Sequence, residues 1–212
     1  MAKPSLPTPL RRALVVSAGL AAAAVLAAAG VSTRDAHAAS WASALSACPY
    51  GCEASVGANA DERIQEVRDA LVAKRPKLAT RNAKLWLDRA VESLDAALAP
   101  QRWLPGGFVA ATPAGLEGLR DVRIAVGRLA WADPTLHSAT LLQRTDLVSM
   151  VSDITLGRFN AVWAVADRSD RSTRLLLWKA EHDIHEGERD FFTNRVRATI
   201  AFIRSWQRLL GQ

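Results

Sequence analysis

TRNAKLWLDRAVESLDAALAP, residues 80–100, is the stretch that decides the fold class. Leu87, Val91, Leu94 and Leu98 recur at three- and four-residue steps, with Ala83, Ala90 and Ala97 at seven-residue steps beside them. That spacing paints one apolar stripe down a helix of about 3.6 residues per turn and predicts a helix over 80–99. Pro100 ends it, because proline lacks the amide that a further turn needs.

The same period continues to either side. Asn59 and Glu62 have the spacing of a capping box, Asp61 and Glu62 add negative charge to the first turn, and Ile64, Val67 and Leu71 line one face before Pro76, which predicts a helix near 60–74. Thr112-Pro113 reads as a cap followed by proline at the first helical position, and Leu116, Leu119, Val126 and Leu129 carry that helix toward Ala132. Asp133-Pro134 repeats the device and opens a long helix over 134–166, with Leu147, Met150, Val151, Ile154 and Val162 inward and Gly157 as the place where a bend costs least. A last helix over 186–210 sets Phe192, Val196, Ile200, Ile203 and Leu210 on one face and keeps Arg189, Arg197, Arg204 and Arg208 off it. Residues 160–166 and 173–179 are short apolar runs that either belong to helices or pair as a β-hairpin. Helices are preferred, because the flanks are helical and an isolated hairpin is marginal. The fold class is therefore all-α: a single-domain helical bundle of about five to six helices over 59–212, with a short β-hairpin near 160–179 as the alternative.

Residues 1–38 do not share this pattern. Lys3, Arg11 and Arg12 form a basic head, residues 13–31 are an uncharged run rich in Ala, Val and Leu, and Ala36-His37-Ala38 supplies the small residues of a signal-peptidase site. The expectation is a cleaved signal peptide, a mature chain beginning near Ala39, and a periplasmic or extracellular address. Arg11-Arg12 before Leu14-Val15, with Arg34 ahead of the cleavage site, resembles a twin-arginine signal, although Leu10 replaces the usual Ser or Thr. The route stays open between twin-arginine and general secretion. An uncleaved membrane anchor is the alternative, since 13–31 is just long enough to span a bilayer; its alanine content argues against that.

Removing the signal changes the charge argument. Of the formal net charge of +6, half belongs to Lys3, Arg11, Arg12 and Arg34 set against Asp35. A sequence pI near 10.0 is therefore no evidence for nucleic acid, which an exported chain would not meet and which needs a clustered basic face. About 174 residues remain, enough for one core of ordinary size.

Cys48 and Cys52 are the only cysteines, and they bracket the turn-forming Pro49-Tyr50-Gly51 in a segment, 39–58, that precedes the helices. In an oxidising compartment a disulfide between them is expected, closing a very short loop and shaping it locally. Cys48-Pro49-Tyr50 with Cys52 resembles the glutaredoxin active site, but Gly51 breaks the two-residue spacing and no strand-helix-strand pattern surrounds it, so redox chemistry does not carry over.

The densest polar constellation is Glu181-His182-Asp183-Ile184-His185-Glu186-Gly187-Glu188. On a helix Glu181 and His185 lie four apart, as do His182 and Glu186, so each pair can present an imidazole and a carboxylate to a divalent metal. His137 is the one further histidine of the mature chain, short of the three or four converging ligands a site needs, and the segment reads more simply as a charged helix end near Gly187. His182-Asp183 on a helix resembles secreted phospholipases A2 in that dipeptide alone. The resemblance implies a His base and a calcium-binding Asp, but the cysteines and glycine-rich loop of that family are not matched here. No cofactor is predicted.

Seven tryptophans stand against one tyrosine. Trp86, Trp131, Trp163, Trp178 and Trp206 fall in helical segments and are expected in the core. Trp103, with Leu104 and Phe108 around Pro105-Gly106-Gly107, lies in a loop and is the candidate contact for an apolar or sugar ligand or an envelope protein. Two classes of function remain. The preferred one is an exported, non-catalytic binding, accessory or envelope-associated protein; the other is a secreted hydrolase or metal-dependent enzyme using His182, Asp183 and His185.

Overall fold

The computed structural model describes residues 57–131 and 133–210. The signal segment 1–38 and the Cys48–Cys52 turn lie outside the described residues. Among the described residues seven α-helices make an all-α bundle: α1 (Ala60–Lys74), α2 (Arg81–Ala97), α3 (Pro113–Trp131), α4 (Pro134–Ala139), α5 (Leu141–Val165), α6 (Arg171–Asp190) and α7 (Arg195–Arg208). Between α2 and α3 lie two paired strands of two residues each, β1 (Trp103–Leu104) and β2 (Phe108–Val109).

Local chemistry starts most of these helices. Thr80 Oγ1 accepts from the Ala83 amide at 3.0 Å and begins α2. Asp133 accepts from the amides of Thr135 and Leu136 at 2.8 and 3.2 Å, with Pro134 behind it, and begins α4. Asp170 accepts from the Thr173 amide at 2.7 Å and begins α6. Hydrogen bonds from Ser172 first, then Thr173, hold the Asp170 carboxyl far below the ordinary carboxylate range. The capping box at Asn59 and Glu62 does not form. Asn59 adopts φ 54°, and its amide and that of Ala60 donate to the carbonyls of Gly106 and Gly107 at 3.0 and 3.1 Å, so the β1–β2 turn does the capping instead. Gly107 has φ 70°, and a Cβ there would sit 2.1 Å from Asp61 Oδ1, so only glycine fits the turn.

Two expected helix bounds are corrected. The helix predicted over 134–166 breaks at Thr140, not at Gly157: buried Thr140 turns its hydroxyl onto the Leu136 carbonyl at 2.8 Å and leaves the helical region at φ −114°, ψ 16°. Residues 160–179 are helical, as preferred over the hairpin: they are the end of α5 and the start of α6, joined at 166–170. The last helix does not begin at Glu186. The chain breaks at 191–194, where Asn194 accepts from the Arg197 amide and starts α7. That break rotates Phe192 outward, to 78% exposure, and Ile200 lies on the outer side of α7 at 39%.

α7 is the hub, packed against α3, α5 and α6, while α2 pairs with α3 and α1 lies against α2 and α5. Val196, Ala198, Ala201, Phe202, Ile203 and Trp206 carry its buried side. Gly187 decides how closely α6 approaches: a Cβ there would lie 2.7–2.8 Å from the ring of buried Phe202, so the glycine, in the last turn of α6, is a contact point as well as a residue near the helix end. Of the tryptophans expected in the core, Trp206 is buried, Trp86 and Trp163 are half-buried, and Trp131 and Trp178 are 75% and 60% exposed.

Candidate functional site

Residues 181–188 lie in the C-terminal half of α6, and the helical period splits them between two directions. Asp183 points inward and is 3% exposed. Arg204 Nε donates to its Oδ1 at 2.8 Å and Arg208 Nε to its Oδ2 at 2.6 Å, so two arginines one turn apart on α7 grip both oxygens of one carboxylate. Arg204 also reaches Glu186. These acids clasp α6 to α7. His182 is exposed and stacks on Trp178 one turn earlier, with ring centroids 5.9 Å apart and planes at 19°. His185 is exposed, with Nδ1 3.1 Å from Glu188 Oε2. Glu181 is half-buried on the same helix. His137 lies on α4, where Nδ1 sits 2.8 Å from the Ala130 carbonyl.

A metal or a hydrolytic water needs donors that converge. Glu186 is committed to Arg204, and Asp183 faces away from both imidazoles into a pair of guanidiniums. Among the described residues no three or more His, Cys, Asp or Glu side chains are grouped to hold an ion.

The 103–108 loop is likewise divided. Trp103 donates its indole N–H to the Ala97 carbonyl at 2.9 Å and packs on the core, finishing the end of α2. Leu104 and Phe108 face each other across the strand pair and stay outward, at 51% and 36% exposure. The three do not form one cluster, because successive strand residues point to opposite sides.

Two features escaped the sequence. A groove of about 410 Å³ runs between α1 and α5, with Val67, Leu147 and Met150 at its base and Arg63, Glu66 and Asp146 among the residues around it. Gln143 lines it with a buried side-chain oxygen that has no hydrogen-bond partner among the described residues. The second is a set of large apolar side chains left in solvent at helix ends: Trp131, Leu142 and Phe192 at 75%, 70% and 78% exposure, with Leu141 at 43% beside them. Their residue type alone pointed to the core. Comparison with protein-family models, curated proteins and solved structures finds no match.

Proposed function

We propose that this chain is an exported, non-catalytic helical-bundle protein that acts as a binding, accessory or envelope-associated factor. One observation carries the reading: the only buried carboxylate of the polar 181–188 segment, Asp183, spends both oxygens on Arg204 and Arg208. An acid held by two guanidiniums is a structural clasp, and it is poorly disposed to orient a histidine base or to ligate a cation. The large apolar side chains held in solvent favour a surface that meets something else. Export is supported by the basic head, the apolar run and the small residues of Ala36-His37-Ala38.

The test is expression with the native N-terminus, followed by fractionation and intact-mass measurement. A chain beginning within a residue or two of Ala39, with Cys48 and Cys52 refractory to thiol labelling until reduced, is the expected result. Retention of residues 1–31 in the membrane fraction sinks the export reading. Stoichiometric zinc, iron or calcium in the purified protein sinks the non-catalytic one and favours an enzyme built on His182 and His185.

A further inference from the structure

Four chain segments meet at one end of the bundle. Thr80 Oγ1, at the start of α2, donates to Asp133 Oδ2 at the start of α4 at 3.3 Å. Arg144 Nη2, in the first turn of α5, donates to the His137 carbonyl at 2.7 Å. Arg195 Nε, at the start of α7, donates to Thr145 Oγ1 at 3.0 Å. The segments these bonds tie together carry the exposed Trp131, Leu141, Leu142 and Phe192. Phe191 packs on the core and meets Phe192 edge-on, ring centroids 5.0 Å apart, which braces the outer ring in solvent.

The charge at this end has one sign where the chain turns. Residues 72–85 hold Lys74, Arg75, Lys77, Arg81 and Lys84 and no acid. Arg75 is taken by Asp88, whereas Lys74, Lys77, Arg81 and Lys84 form no ion pair among the described residues. Of the acids at this end, Asp133 caps α4 and Asp190 faces Arg189 and Arg197 at 3.6 and 3.8 Å, while Asp146, one turn after Leu142, is exposed, so four cations without an ion pair stand against one exposed carboxylate.

We propose that this end of the bundle docks on an anionic lipid surface, with Trp131, Leu142 and Phe192 entering the headgroup layer and Lys74, Lys77, Arg81 and Lys84 facing lipid phosphates. Tryptophan and phenylalanine favour the boundary between water and acyl chains, and cations close by are drawn to anionic headgroups. Apolar side chains at the tips of separate segments offer no continuous groove to a partner helix or strand, and a bilayer surface needs none. No described helix is long and apolar enough to cross a membrane, and the contact proposed for this end of the bundle lies at the headgroup layer. The proposal names a partner for the envelope-associated reading and rests on its premise that the chain reaches a membrane compartment.

Among the described residues every buried core residue lies between Ala60 and Leu209, so a chain beginning at Ala39 keeps all of that core and lacks the apolar run of the signal. That chain is sedimented with vesicles of phosphatidylcholine alone and of phosphatidylcholine with phosphatidylglycerol at about two to one. Binding to the mixed vesicles is expected to exceed binding to the neutral ones by at least about tenfold and to weaken with added salt. Leu142→Ser with Phe192→Ser, and separately Lys77→Gln with Arg81→Gln and Lys84→Gln, each lose at least about tenfold on the mixed vesicles while melting as the parent does, since all these side chains lie outside the core. Equal binding to both vesicle types, no binding, or unchanged binding in either variant overturns the proposal. So does a self-associated chain that Leu142→Ser with Phe192→Ser converts to a monomer, which would assign the patch to a second copy. Vesicle binding by a protein whose signal stays uncleaved in cells supports the lipid surface and counts against export alone.

Discussion

Trp206 is 2% exposed in the hub helix α7, and Trp131 is 75% exposed at the end of α3. Both lie on amphipathic helices, so residue type does not separate them; position along the helix does. In the body of the bundle every inward position has a neighbouring helix to cover it, and Trp206 is covered on its side of α7. At the tip of a helix the neighbours have ended, and a large side chain there stays wet unless something outside the described chain covers it. The contrast sharpens into a paired measurement. Trp206→Ala is expected to cost about 3–5 kcal/mol by lost burial and the cavity left behind, and Trp131→Ala to stay within about 0.5 kcal/mol. Urea unfolding of both reads the difference, and a large loss from Trp131→Ala would mean that the bundle end packs on part of itself.

The α6–α7 clasp is the next place to press. Replacing Arg204 and Arg208 together by Ala leaves Asp183 without a countercharge, for an expected loss of about 3–5 kcal/mol in the unfolding free energy read from urea titration. Asp183→Leu is expected to cost less, because the two arginine side chains are 43% and 38% exposed and can turn to water. If the acid proves costlier to lose than its partners, Asp183 has a role beyond the clasp. Gly187→Ala comes third. Alanine improves helix propensity by up to about 1 kcal/mol, but its methyl would press into a buried ring that cannot move freely, so a net loss of about 1–2 kcal/mol is expected.

Much of the bundle was legible because its signals are local. Thr80, Asp133-Pro134 and the apolar stripes of 60–74 and 80–99 need only neighbours within a turn or two, and they lie where the spacing put them. Errors arose where a distant group decided the outcome. Asn59 looked like a capping residue, yet the caps came from glycines of the 103–109 hairpin. Gly187 near the end of α6 reads as a simple helix terminus, and only the approach of Phe202 from α7 makes it a packing position. Phe192 and Ile200 shared a stripe only if 186–210 was one helix, and the break at 191–194 reset the phase. The candidate site suffered in the same way: a string of acids and histidines has no direction until the helix and its arginine partners assign one, and the groove between α1 and α5 joins segments far apart in sequence.

The smallest expected effect is the most informative about chemistry. His182 and His185 share α6 with Asp183, yet their side chains stand in solvent against Trp178 and Glu188, where an imidazole gains one stacking partner or one exposed hydrogen bond to a carboxylate. Replacing both by Ala should therefore change stability by no more than about 0.5 kcal/mol and leave binding to mixed vesicles as it was. A folded double variant that loses bound metal, or an activity the parent possesses, would show that the outward side of α6 is a site after all. In that case the clasp on its inward side would be the brace that holds the site rigid.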